Sequence, residues 1–177
     1  MDDNLKNVLD TFGKYVVTQS RSNLSKKSKN VTKELYDSIA YEYSKKNYGY
    51  EFSFEMQDYG KFQDEGVKGS NPNLVKNGRQ KAPLSRFKFT NKMPPLTPIF
   101  KWVKQRGIRF RNQKGQFNKG TYKTIAFIIQ KRIFAQGIEA TEFFTRPFNV
   151  GFYDLDDKIL LAFNDDLDKI LKEKIDD

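Results

Sequence analysis

The chain has 177 residues, with 32 Lys and Arg against 22 Asp and Glu, no Cys and no His. That length suits a single domain able to bury roughly 70% of its unfolded surface, so a core is expected without covalent staples. The two zeros exclude disulfides, thiolate nucleophiles, Cys- or His-ligated metals and the Ser-His-Asp triad, which leaves catalysis only carboxylates, Lys, Tyr, Ser or a carboxylate-bound Mg²⁺.

Residues 4–22 predict an amphipathic helix, because Leu5, Val8, Leu9, Phe12 and Val16 recur at three- and four-residue spacing while Lys6, Asp10, Lys14 and Arg21 take the other face. The polar stretch Ser20–Asn30 either extends that helix or forms a loop. Thr32–Ile39 holds a further helical turn, with Val31, Leu35 and Ile39 four apart. A hairpin follows over 39–44 and 50–56. Ile39, Tyr41 and Tyr43, then Tyr50, Phe52, Phe54 and Met56, alternate with polar residues around an Asn/Gly turn that contains Tyr48. Asp58–Gly66 reads as a short helix closed by Gly66.

Residues 67–97 look irregular, a long basic loop or arm rich in Gly, Pro and Asn, with an alternating segment at Leu84–Thr90 that suggests a strand within it. Pro98–Gly107 reads as a helix with Ile99, Trp102 and Val103 on one face and Gly107 as its stop. Ile108–Gly120 is a basic loop. Thr121–Gln136 is a strong helix carrying Ile125, Ile128, Ile129, Ile133 and Phe134. Phe143–Phe152 is aromatic and reads as partly extended. Asp154–Ile175 is a last helix with Leu155, Ile159, Leu160, Phe163, Leu167, Ile170 and Leu171 on its apolar stripe. The expectation is one α+β domain over 1–177. In it a small antiparallel β-sheet packs against amphipathic helices, those over 4–22, 121–136 and the C-terminal stretch.

Charge is segregated along the chain. Residues 66–136 carry 17 basic side chains and no acidic one, whereas 137–177 carry five basic and 11 acidic. A single-sign field of that size repels itself unless it meets a partner. Nucleic-acid phosphate, an acidic protein surface, and the acidic end of an identical neighbour in a head-to-tail ring all fit. So does neutralisation of the basic middle by the chain's own acidic ends. The candidate contact residues are Lys76, Arg79, Lys81, Arg86, Lys88, Lys101, Lys104, Arg106, Arg109, Arg111, Lys114 and Lys119. The interleaved Phe87, Phe89, Phe110, Phe117 and Tyr122 are either core residues or stacking groups. No nucleic-acid recognition motif stands out.

Glu51, Glu55, Asp58, Asp64 and Glu65, with Lys68, are the carboxylates to weigh for a Mg²⁺ site. Two-metal chemistry needs them to converge, yet Glu51 and Glu55 share the strand face opposite the aromatic row, where solvated residues stand. No catalytic residue, metal or cofactor is assigned. No run approaches the roughly 18 apolar residues of a membrane span, and the acidic start Met1-Asp2-Asp3-Asn4 is the reverse of a secretory signal. Synthesis in a cytoplasm is expected, with no membrane partner.

The order of elements and three short motifs carry a resemblance over about residues 5–175. The first motif is Tyr59-Gly60-Lys61-Phe62-Gln63-Asp64-Glu65-Gly66. The second is Pro94-Pro95 followed by Trp102 and Gly107, and the third is the box Phe143-Phe144-Thr145-Arg146-Pro147-Phe148. The chain resembles the tail-completion, or head–tail connector, proteins of tailed bacteriophages. The first motif is similar to their Tyr-Ala-x-x-x-Glu-x-Gly pattern, with Gly60 in place of Ala and the acidic residue moved next to Gly66. The resemblance implies a structural virion protein without a catalytic site, made in a host bacterial cytoplasm. It implies a closed ring in the neck, on the order of six or twelve copies. The expected partners are the portal or adaptor, the tail proteins and the packaged DNA. A stand-alone nucleic-acid-binding protein using 66–136 is the alternative.

Overall fold

The computed structural model describes residues 3–26, 33–47, 49–111, 114–116 and 120–175. Asn30, Val31, Thr32, Tyr48, Phe117 and Lys119, invoked above, lie outside the described residues. The fold is α+β, and its elements fall into two compact units, Met1–Gln57 with Glu142–Asp177, and Asp58–Thr141.

The first unit is built on α1 (Asp3–Lys26). The helix runs past residue 22 because Ser20 and Leu24 continue the buried row of Leu9, Phe12, Val16 and Val17. A short helix α2 (Glu34–Ser38) follows. Arg21 donates to the carbonyls of Tyr36 at 3.0 Å and Ile39 at 2.9 Å, filling acceptors that the end of so short a helix leaves open. Strands β1 (Ala40–Lys46) and β2 (Gly49–Glu55) pair antiparallel with Tyr41 opposite Phe54 and Tyr43 opposite Phe52. Phe12 meets Phe52 and Phe54 at centroid distances of 5.7 and 5.8 Å. Gly13 makes room for the Tyr41 ring, since a Cβ there would lie 2.6 Å from ring atoms.

Residues 145–152, expected to be partly extended, form helix α6 (Thr145–Phe152) instead. Phe144, Phe148 and Phe152 recur every four residues and stack in turn at 5.8 and 5.5 Å. Pro147 sits in the first turn, where the missing N–H has no intrahelical partner to lose. Helix α7 (Leu155–Ile175) closes the unit: Leu155 and Ile159 join the Phe12–Val16 cluster, and Ala162 is buried in the same row. Each large apolar side chain buried here contributes about 1.5–3 kcal/mol.

In the second unit, α3 (Tyr59–Glu65) ends at Gly66, whose φ of +71° a residue with a side chain adopts only under strain. β3 (Val67–Lys68) then pairs antiparallel with β4 (Gly137–Ile138), Val67 opposite Ile138. Thr141 returns to α3, its hydroxyl donating to the Gln63 carbonyl at 2.6 Å. The 67–97 stretch is largely irregular, and its backbone is tied down within the unit. Ser70 N–H donates to Phe134 at 2.9 Å, Lys81 N–H to Gln136 at 2.8 Å, and Phe89 N–H to Lys68 at 2.9 Å. The expected strand at 84–90 reduces to one parallel bridge, Lys88 with Lys68, because β3 offers only two residues to pair with and Ala82 turns the chain at φ +46°.

Helix α4 (Leu96–Gln105) starts two residues earlier than its Pro98, with Pro95 as N-cap. Its buried face is Leu96, Ile99, Phe100 and Val103. Trp102, expected on the same face as Ile99 and Val103, is 37% exposed instead, and Phe100 packs against Val103 in its place. Helix α5 (Tyr122–Gln136) is capped by Thr121, whose hydroxyl oxygen accepts from Thr124 N–H at 3.2 Å. The sequence reading put this helix on the hairpin sheet. It packs on α4, through Ile125, Ala126 and Ile129 around Val103. Among the described residues, no helix is long and apolar enough to cross a membrane.

Candidate functional site

The sequence's basic stretch becomes a structural unit. Residues 58–141 hold 18 Lys and Arg against four Asp and Glu, a net +14, while the other unit holds 14 against 18, a net −4. All 11 described candidate basic residues belong to the positive unit and are exposed. They come from several elements. Lys76, Arg79 and Lys81 follow the 3₁₀ turn at Pro72–Leu74, and Arg86 and Lys88 lie on the return past β3. Lys101 and Lys104 stand on α4, with Arg106 as its C-cap. Arg109, Arg111 and Lys114 lie in the loop after it.

Arg86 and Arg109 are among the cations held by neighbours. Arg86 donates to Glu65 at 2.6 Å and lies 4.9 Å from the centre of the Phe87 ring. Arg109 donates to the Tyr122 hydroxyl at 3.2 Å and lies 5.6 Å from that ring's centre. Phe87 in turn packs edge-on against Phe62 at 4.7 Å. Phe87, Phe89 and Tyr122 are therefore half-buried packing groups, while Phe110 is 38% exposed.

Sequence reasoning missed part of this surface. Lys123, Lys131 and Arg132 line the exposed side of α5, together with Phe127 and Ile128. The four-residue steps 123-127-131 and 128-132 were the available signal. The Lys131 ammonium sits 4.6 Å from the centre of the Phe127 ring.

The residues behind the resemblance divide between the units and are mostly structural. Gly60 and Gly66 are buried, and a Cβ on Gly66 would press within 2.6 Å of backbone at Ala140 and Ile138. Tyr59 is exposed at the start of α3. The Pro94 carbonyl accepts from Gln130 at 2.6 Å, fixing the entry to α4, and Gly107 leaves that helix at φ +61°. Phe143 is fully buried among Val17, Leu24, Leu35 and Ile39, Pro147 is buried, and Phe144 and Phe148 pack on Phe54 at 5.3 and 5.9 Å. The Phe box thus serves the core of its own unit.

The carboxylates weighed for a Mg²⁺ site divide between the two units. Glu51 pairs with Lys46 at 3.3 Å and Glu55 is exposed, both on β2, while Asp64 and Glu65 lie on α3 of the other unit. Among the described residues, no group of three or more Asp or Glu is placed to hold a metal ion. A groove of about 540 Å³ on the first unit is lined by Phe12, Tyr15, Val150 and Leu155, with Asp154 and Lys158. Asp10, on the neighbouring surface, is held below the usual carboxylate range by its bonds to Lys14 and then Tyr41. The Tyr41 hydroxyl is pushed up to about 12 by the same Asp10.

Comparison with protein-family models, curated proteins and solved structures gives no match for this chain.

Proposed function

We propose that the chain is a non-catalytic structural subunit of a tailed-phage virion, one copy of a closed neck ring that joins the portal or adaptor of the head to the tail. The observation that carries this reading is the division of charge by unit, +14 on residues 58–141 against −4 on the remainder. A ring repeats one contact between two different patches of the same chain, and opposite charge on the two patches favours that contact over like against like. The motif resemblance to tail-completion proteins supplies the virion context.

Binding of nucleic acid by the positive unit is the second reading. It is favoured by the absence of any carboxylate from 66 to 136 and by the exposure of the 11 described candidate cations. The two readings are tested by electron microscopy of lysates from a phage lacking the gene. Filled heads and finished tails that fail to join are expected. Normal joined particles would contradict the neck reading, and a duplex-binding assay titrated with salt would then decide the second, with log K falling by about 0.9 per phosphate neutralised.

A further inference from the structure

We infer that the outward face of α7 docks onto the outward face of α5 of a second copy of the chain, forming the repeating contact of a head-to-tail assembly. This rests on the ring reading above and names its contact.

Helix α7 has two apolar rows. Leu155, Ile159 and Ala162 face the core, but Leu160, Phe163, Leu167 and Leu171 form a second row that is 60, 45, 36 and 58% exposed. Single exposed apolar side chains are ordinary, whereas four at helical spacing on one face mark an interaction surface. Carboxylates border the row. Asp156 and Asp157 stand four and three residues before Leu160, and Asp168 three before Leu171, the spacings at which helix side chains are neighbours.

Helix α5 shows the complementary pattern. Its inner face packs on α4, and its outer face leaves Phe127 and Ile128 43 and 46% exposed. Lys123 and Lys131 lie four residues to either side of Phe127, and Arg132 lies four after Ile128. An apolar row edged by carboxylates thus matches an apolar pair edged by cations. A second copy is the occupant because the two faces belong to units of opposite net charge, −4 and +14, so every copy offers one face of each kind. Such a heterologous contact propagates from copy to copy until the rotation closes. The apolar centre supplies the adhesion, and the charged border selects the unlike face.

The test is sedimentation velocity of the full chain at matched concentration, with circular dichroism to verify folding. Three variants are used: Leu160→Ser with Leu167→Ser; Asp157→Lys with Asp168→Lys; and Lys123→Glu with Lys131→Glu. The wild type is expected to sediment as an assembly and each variant at the single-chain mass of 20.8 kDa. An equimolar mixture of the two charge-reversed variants is expected to restore the assembly, because each supplies the face that the other needs. Wild-type mass in the leucine variant or in either charge variant overturns the contact and leaves the ring reading standing. A mixture that stays at single-chain mass overturns it too, since faces paired within one chain gain nothing from mixing. A wild type that stays at single-chain mass overturns contact and ring together. Should the leucine variant lose helix, Leu167→Gln alone is expected to raise the dissociation concentration about tenfold or more. An unchanged value would overturn the contact.

Discussion

Two glycines with positive φ separate backbone strain from crowding. Gly107 and Gly137 stand at φ +61° and +91°. A Cβ at Gly107 would meet open space, whereas at Gly137 it would run into the Val67 carbonyl oxygen and the backbone of Lys68 and Gly69. Gly107→Ala is therefore expected to cost about 1 kcal/mol of strain, and Gly137→Ala about 3 kcal/mol or more because β3 and β4 must also separate. Chemical denaturation of both variants checks this, and equal costs would contradict it. Asp10 and Tyr41 carry the residue-scale pH dependence. Stability from the depressed carboxyl of Asp10 is present above the unfolded value of about 3.9 and is lost as pH falls through the lower folded value. Stability from the raised Tyr41 hydroxyl is full below about 10 and lost as pH rises through about 12. Tyr41→Phe is thus expected to be less stable than wild type at neutral pH, with the difference shrinking in strong acid. A difference that does not vary with pH would contradict the link.

At the scale of elements, periodicity predicts helices and hairpin well and partners poorly. The repeats over α1, α5 and α7 and the alternation of the hairpin each carry one dominant period, and the structure holds those elements within a few residues of their expected bounds. Helix α6 was masked by the β-favouring character of its aromatics and by Pro147, although the 144-148-152 spacing already had the helical period. The 84–90 alternation misled because a strand exists only where a neighbour pairs with it, and that neighbour is two residues long. Nor does the repeat over 121–136 say that its partner is α4 rather than the hairpin. That depends on contacts between segments distant in sequence. Within α5, side chains of one chemical type divide by face: Ile125 is 1% exposed and Ile128 is 46% exposed. Ile125→Ala is expected to cost about 2–5 kcal/mol, while Ile128→Ala should stay within about 0.5 kcal/mol in the dissociated chain. Thermal unfolding at low concentration measures both, and similar losses would contradict the assignment of faces.

At the scale of the whole molecule, charge was more legible than site. The carboxylate-free stretch of 66–136 lies wholly within one unit, whose boundaries at 58 and 141 fall close to where acidic residues resume. The cations that sequence reasoning singled out are all exposed where described, yet the α5 cations Lys123, Lys131 and Arg132 were passed over because that helix was read for its row of isoleucines and Phe134. The Phe143–Phe148 box shows the converse: a motif singled out for its resemblance packs into the core of its own unit. The proposed role in a virion neck rests on the two units differing by sign of charge, while the motif glycines and phenylalanines pack within their own units. Under the proposed role, quantitative mass spectrometry of purified particles of a phage that carries the gene is the most direct test. The account predicts the chain at a fixed number of copies per particle, on the order of six or twelve. Its absence from purified particles, or an abundance that varies from one preparation to the next, would contradict it.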